Sequence, residues 1–284
     1  MLAYLNLTKP RISLLFAVTG LAALIMEGSL RAKPATMWLL VAAIFMIGGS
    51  ANAFNQYFER DIDKMMVRTA KKRPLPQGKI KPVAALIFSV VIGAIGTCLL
   101  WHWGTPLAAL LGLGTIVFYS FYYTLWLKPR TPYNIVIGGA AGATGPLIGW
   151  AAATGLLSWA AVVMFAIVFF WTPPHFWSLA LCCKEDYAKV NYPMFPLVAG
   201  DAATRKQILF YSMTLLPLSA SLYFLKAAGM VYLISALILS AFFMWEAVQI
   251  YRKKTIRSYW QLFGYSIAYL LLLFVILIVD HLIS

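Results

Sequence analysis

Apolar residues in this chain come in long unbroken runs, without the strict alternation of half-buried strands or the narrow stripe of a soluble helix. Cutting the sequence at its polar breaks leaves nine runs, approximately 12–30, 37–58, 83–101, 106–126, 133–153, 158–181, 208–226, 229–250 and 260–281. Each is near the ~20 residues a helix needs to cross a bilayer. Lipid offers the backbone no hydrogen-bond partners, so the runs predict helices. The expected fold class is all-α, a multi-pass membrane bundle of nine transmembrane helices. The first run follows the short basic stretch Lys9 to Arg11 but is long and has no small-residue cleavage pattern, so it reads as a helix and not as a signal peptide.

Composition agrees, since 62% of the 284 residues are hydrophobic and 11% charged, too apolar for a soluble domain. A net charge of +14 would suggest nucleic acid in a soluble chain. Here the basic residues sort by side of the membrane, which removes nucleic acid as a partner. Twenty Lys and Arg fall on one side of the nine spans, eight of them in the 59–82 loop, against only Arg31, Lys33 and Lys226 on the other. That asymmetry predicts a cytoplasmic N-terminus and an inner (plasma) membrane location.

The two long loops on the basic side, 59–82 and 182–207, also hold six of the nine acids: Glu59, Asp61, Asp63, Glu185, Asp186 and Asp201. Chemistry is therefore expected on the cytoplasmic face. The loops fall four helices apart, which suggests two related halves, 1–130 and 131–255, within one domain of 1–284, with the ninth helix at 260–281 appended. Cys98, Cys182 and Cys183 sit in apolar runs with no metal or disulfide spacing and read as small fillers.

The densest chemistry is AFNQYFERDIDKMMVRTAKKRPLP, residues 53–76. Asn55, Glu59 and Asp63 recur every fourth position, so on a continuing helix they share one face. Three oxygen donors at a membrane surface suit Mg²⁺, which takes a few carboxylates and completes its shell with phosphate oxygens. Arg60, Lys64 and Arg68 form a neighbouring basic stripe that could hold a diphosphate. The ordinary reading of such a block is a solvated helix end with internal ion pairs; regular spacing at the end of a membrane span favours function. In the second loop, Glu185 and Asp186 with Lys184 and Lys189 could bind a second metal, with Asp186 as ligand, or the other side of the same diphosphate, although such a pair is also an ordinary loop feature. Span 4 ends in aromatics, among them Tyr119 and Tyr123, followed by Lys128 and Arg130. These fit an interfacial belt, or ring faces that stabilise a cation while the two bases hold a leaving group. Span 6 contains WTPPHFW, where Pro173 and Pro174 should break the helix ladder beside His175, an ionisable group inside the membrane.

At these residues the sequence resembles the UbiA-type superfamily of intramembrane aromatic prenyltransferases. Asn55, Glu59 and Asp63 match its first motif, Asn-x-x-x-Asp-x-x-x-Asp, with Glu in the middle place. LTKPRISLL at 7–15, YTLWLKPRTPYNIVIGGAAGATGPLIGWAA at 123–152, WTPPHFWSLAL at 171–181 and DYAKVNYPMFPLVAG at 186–200 resemble its haem-directed branch. Asn191 stands where that branch's pattern calls for Gly. The resemblance implies a Mg²⁺-dependent transfer of the farnesyl group of farnesyl diphosphate to a vinyl group of haem B, giving haem O and diphosphate. In it Asn55, Glu59 and Asp63 would hold metal, Lys128 and Arg130 would assist the leaving diphosphate, and His175 would position haem. Implied partners are the two substrates, the lipid bilayer and a downstream haem-modifying enzyme or terminal oxidase. A quinone-precursor or chlorin prenyltransferase, and a membrane haem carrier or transporter, remain the competing readings.

Overall fold

A computed structural model of the chain describes residues 2–283. Among the described residues nine helices are long and apolar enough to cross a membrane: α1 (Pro10–Glu27), α2 (Pro34–Phe58), α3 (Pro82–Trp103), α4 (Pro106–Leu127), α5 (Asn134–Thr154), α6 (Trp159–Cys182), α7 (Gly200–Phe224), α8 (Met230–Lys253) and α9 (Ile256–Ile283). Short helices fill the two long loops, and no strand occurs among the described residues.

Local sequence sets many of the helix ends. Proline stands in the first turn of α1, α2, α3 and α4, where its missing N–H has no intrahelical partner to lose. Thr105 and Ser158 cap α4 and α6 by accepting from the N–H groups of Ala108 at 3.3 Å and Ala161 at 3.2 Å. Large apolar side chains cover the outer surface, with Trp38, Trp101, Trp103 and Trp159 exposed at the end that carries the short connections, as an interfacial belt requires.

Three features depart from the hydropathy pattern. Helix α7 begins at Gly200, well before 208. Its first turns are polar, and Asp201 there both complements the helix dipole and pairs with Lys184 at 2.7 Å. Helix α6 runs unbroken through Pro173 and Pro174, because the stretch around them is buried among neighbouring helices, and that packing outweighs the lost backbone bonds. Helix α4 ends as a π-helix from Phe118 to Leu127, which no sequence pattern announced. The wider i→i+5 ladder sets side chains four apart nearly above one another. Tyr122 and Trp126 stack outward at 5.1 Å, and Tyr119 and Tyr123 stack inward at 5.2 Å.

Packing divides into two large buried clusters, one built mainly from α1 to α5 and one mainly from α6 to α9, with a small third one around Leu7, Ala53 and Ala85. A Cβ on Gly149 would lie 2.3 Å from the carbonyl oxygen of Gly20, so α1 and α5 cross almost backbone to backbone. Between the two large clusters lies a cavity of about 390 Å³, lined by residues of α1, α2, α4, α5, α6 and α9. The charged loops close over one end of the bundle.

Candidate active site

Helix α2 delivers the first donors. The chain turns at Glu59 (φ −90°, ψ 5°), yet the i→i+4 pattern continues across the junction. Glu59 N–H donates to the Asn55 carbonyl at 3.0 Å and Asp63 N–H to the Glu59 carbonyl at 2.8 Å. Asn55, Glu59 and Asp63 therefore keep one face, at 2%, 3% and 1% exposure. Carboxylates buried this deeply need partners. Lys128 donates to Glu59 Oε1, and Arg73 donates to Asp63 Oδ2 and, at 3.4 Å, to Glu59 Oε2. Lys9 Nζ donates to Asn55 Oδ1 at 3.1 Å, and Asn55 Nδ2 donates to Thr124 Oγ1 in the π-helical segment at 3.2 Å. The Lys128 ammonium also lies 5.0 Å over the Tyr192 ring.

Three cations thus face two carboxylates. Burial alone would raise the Glu59 carboxyl, but Lys128 and then Arg73 hold it down at about 2. Asp63 moves the other way, pushed up by burial and by the Glu59 carboxylate against the pull of Arg73. Burial, with Arg73 beside it, drives the Lys9 ammonium well below the usual lysine range. A polyanion entering here would meet three basic side chains and would draw the Lys9 ammonium back up toward its usual range.

Other predicted residues lie apart from this cluster. Helix Arg60–Met65 gives way to an extended Met66 (φ −91°, ψ 123°), which cuts the expected basic stripe before Arg68. Arg60 donates to the Tyr57 carbonyl at 2.9 Å and lies 3.6 Å from Asp61, and Lys64 pairs with Asp61 at 3.0 Å. These are local pairs, with Asp61 and Lys64 exposed and Arg60 half-buried. Arg130 turns back onto the carbonyls of Leu125 and Trp126 at 3.3 and 3.0 Å. Lys184 is taken by Asp201. Asp186 spends one oxygen each on the N–H groups of Val67 at 3.3 Å and Arg68 at 3.0 Å, so it clasps the second loop to the first instead of standing free. Asn191, in the position expected for Gly, adopts φ 52°, the left-handed conformation that Asn tolerates better than most residues.

Sequence reasoning did not single out Lys9, Arg73 or Tyr192. The first two were visible as basic residues flanking spans, with nothing local to say that a loop would fold them onto Glu59 and Asp63.

Beyond the charged cluster, Tyr119, Tyr123 and His175 line the cavity, together with Asn52, one turn before Asn55. Gly138 makes room for the inward tyrosine: a Cβ there would lie 2.3 Å from the Tyr123 ring. Among the described residues no three His, Cys, Asp or Glu side chains converge to hold a metal unaided. Two carboxylates and an amide oxygen are hard donors, too few for a closed cage, which fits a Mg²⁺ ion that takes its remaining ligands from phosphate and water.

The family model for the UbiA prenyltransferase family matches residues 13–277. The chain belongs to the UbiA prenyltransferase family. Among curated UbiA relatives, the protoheme IX farnesyltransferase of Symbiobacterium thermophilum is 44% identical, the match covering 98% of this chain and 93% of the relative. That of Nitrosomonas europaea is 44% identical over 98% and 93%. That of Chloroflexus aurantiacus is 43% identical over 99% of this chain, which spans 48% of that longer protein. The UbiA fold recurs in a digeranylgeranylglyceryl phosphate synthase with TM-score 0.80 at 18% identity, covering 99% of this chain and 98% of that one. It recurs again in a UbiA homologue from Archaeoglobus fulgidus bound to DMAPP and Mg²⁺, with TM-score 0.69 at 16% identity, over 96% and 99%.

Proposed function

We propose that the chain transfers the farnesyl group of farnesyl diphosphate to a vinyl group of haem B, with addition of water, giving haem O and diphosphate. The observation that carries this reading is the juxtaposition of Glu59 and Asp63, faced by Lys9, Arg73 and Lys128, with an apolar cavity walled by Tyr119, Tyr123 and His175. The curated relatives, named for this activity, support it. The charged cluster binds the diphosphate, and its cations stabilise the charge that grows as the allylic C–O bond breaks. The bond's electron pair leaves with the diphosphate. The vinyl π pair then forms the new C–C bond to farnesyl C1, and water adds to the resulting cation and releases a proton. Tyr119 and Tyr123 present ring faces toward that positive charge, and the apolar wall keeps bulk water from the allylic cation. Asn55, Glu59 and Asp63 would hold Mg²⁺, which when bound supplies further charge neutralisation at the diphosphate oxygens.

On this reading the whole chain is one prenyltransferase domain. Its N-terminus and charged cluster face the cytoplasm of the inner (plasma) membrane, supported by the asymmetry of Lys and Arg, and haem O passes to a haem-modifying enzyme or terminal oxidase. Membranes containing the chain, incubated with haem B, farnesyl diphosphate and Mg²⁺, should yield haem O by mass, and chelation or Asp63→Ala should abolish it. Prenylation of a phenolic acid or chlorin without haem O would overturn the acceptor. Haem O formation unchanged in Asp63→Ala would overturn the charged cluster's role.

A further inference from the structure

His175 is held by an arrangement that determines which of its nitrogens carries the proton. Its ring is stacked between Trp171, at 4.4 Å and 17°, and Phe263, at 4.7 Å and 21°. Its Nδ1 lies 2.6 Å from Ser266 Oγ. A serine hydroxyl has one proton to give, and Ser266 gives it to the Phe263 carbonyl at 2.7 Å, one turn earlier on α9. With that bond made, the hydroxyl has only a lone pair to offer His175, and the arrangement favours Nδ1 as the donor. The neutral imidazole is then the Nδ1–H tautomer, with its lone pair on Nε2. Ser266 is itself fixed, since its carbonyl accepts from Trp171 Nε1 at 2.7 Å and its side chain is fully buried. Among the described residues Nε2 has no protein hydrogen bond, nor is it one of the sealed polar atoms left without a partner. It opens on the cavity that His175 lines.

An imidazole clamped between two rings, with one nitrogen committed to a neutral acceptor and the other presenting a lone pair to an apolar cavity, is arranged as a metal ligand with its supporting partner. The only metal that the proposed chemistry brings into this cavity is the iron of the porphyrin acceptor. We propose that Ser266 is a positioning residue that fixes His175 as the Nδ1–H tautomer and so presents Nε2 to the porphyrin iron, holding the acceptor in the cavity that His175 lines. The inference rests on the haem acceptor proposed above, and it adds the residue that governs the ligand.

The test compares iron protoporphyrin IX with metal-free protoporphyrin IX, titrated into the full chain in detergent and followed by absorption. Wild type should bind the iron porphyrin with the spectrum of a nitrogen-ligated iron. Ser266→Ala should weaken that binding about 10-fold, within the range for loss of a ligand's supporting hydrogen bond, and shift the spectrum, while leaving the metal-free porphyrin bound as before. Ser266→Cys keeps the shape with a poorer acceptor and should lie between the two; it serves in place of the alanine variant if that one fails to fold. Equal loss of both porphyrins would assign Ser266 to packing and overturn the proposal. So would unchanged iron binding and spectrum accompanied by slower turnover, which would move Nε2 to activating the water. A wild-type chain that binds neither porphyrin would instead overturn the haem acceptor, and this inference with it.

Discussion

Glu59→Gln isolates the charge at the centre of the cluster. Gln keeps the length of the side chain and an oxygen for Lys128, and removes the negative charge that Lys128 and Arg73 face together with the long 3.4 Å acceptor contact to Arg73. The carboxyl is held at about 2 against an ordinary 4.5, and one pH unit of such displacement corresponds to about 1.4 kcal/mol. The ionised form should therefore contribute roughly 3 kcal/mol to the folded state. Removing one partner of a buried pair costs about 3–5 kcal/mol by a separate route, so the two magnitudes agree. A carboxyl depressed in the folded state contributes fully above its unfolded value, and the contribution is lost as pH falls toward the folded one. The assay is thermal unfolding of metal-free wild type and variant in detergent across that window. Near neutral pH the variant should be less stable by roughly 3 kcal/mol. Between about 4.5 and 2 the gap should close, because a protonated Glu59 and a glutamine are then alike. A gap that stays constant as pH falls would show that shape, not charge, holds the cluster, and would refute the reasoning.

Arg73→Gln should lower haem O formation by about 10² to 10³, the cost of removing one preorganised donor from a developing anion, whereas Asp61→Asn, at a side chain 68% exposed, should change turnover less than about twofold, as surface pairs of this kind carry little energy. Gly138→Ala should drive the Tyr123 ring from its place, since the added Cβ would overlap it; overpacking of this kind costs about 1–3 kcal/mol, and the signature is a fall in kcat beyond what the lower Tm explains. Asp186→Ala removes both acceptors of the amides of Val67 and Arg68, a loss of about 1 kcal/mol on the scale of helix caps. Hydrogen exchange should then quicken at residues 67–70 and stay unchanged in the helices of the bundle.

What the sequence could show divides along the range of the interactions. Helix type and number follow from one local quantity, the length of apolar runs, because lipid leaves the backbone no other solution. The shared face of Asn55, Glu59 and Asp63 is also local, a consequence of helical repeat, and it survives the turn at Glu59 because the backbone bonds carry on across it. The same repeat misplaced the cations. Extended through Arg60, Lys64 and Arg68 it gives a tidy stripe, but the stripe assumes a helix that stops at Met65, and the residue that reaches both carboxylates, Arg73, comes back to them across a loop. Lys9 and Lys128 arrive from opposite sides in the chain, 46 and 69 residues away from their partners. Lys128 was suggested by the aromatic helix end before it; Lys9 had no such neighbour. The π-helical turn that aims Tyr119 and Tyr123 at the cavity has no hydropathy signature, since it alters register and not composition. Carboxylates could be read from their spacing because one helical repeat, carried across the turn at Glu59, supplies them both. Their counter-charges could not, because a buried site meant for a polyanion needs positive charge on every side of it, and only separate segments can surround it.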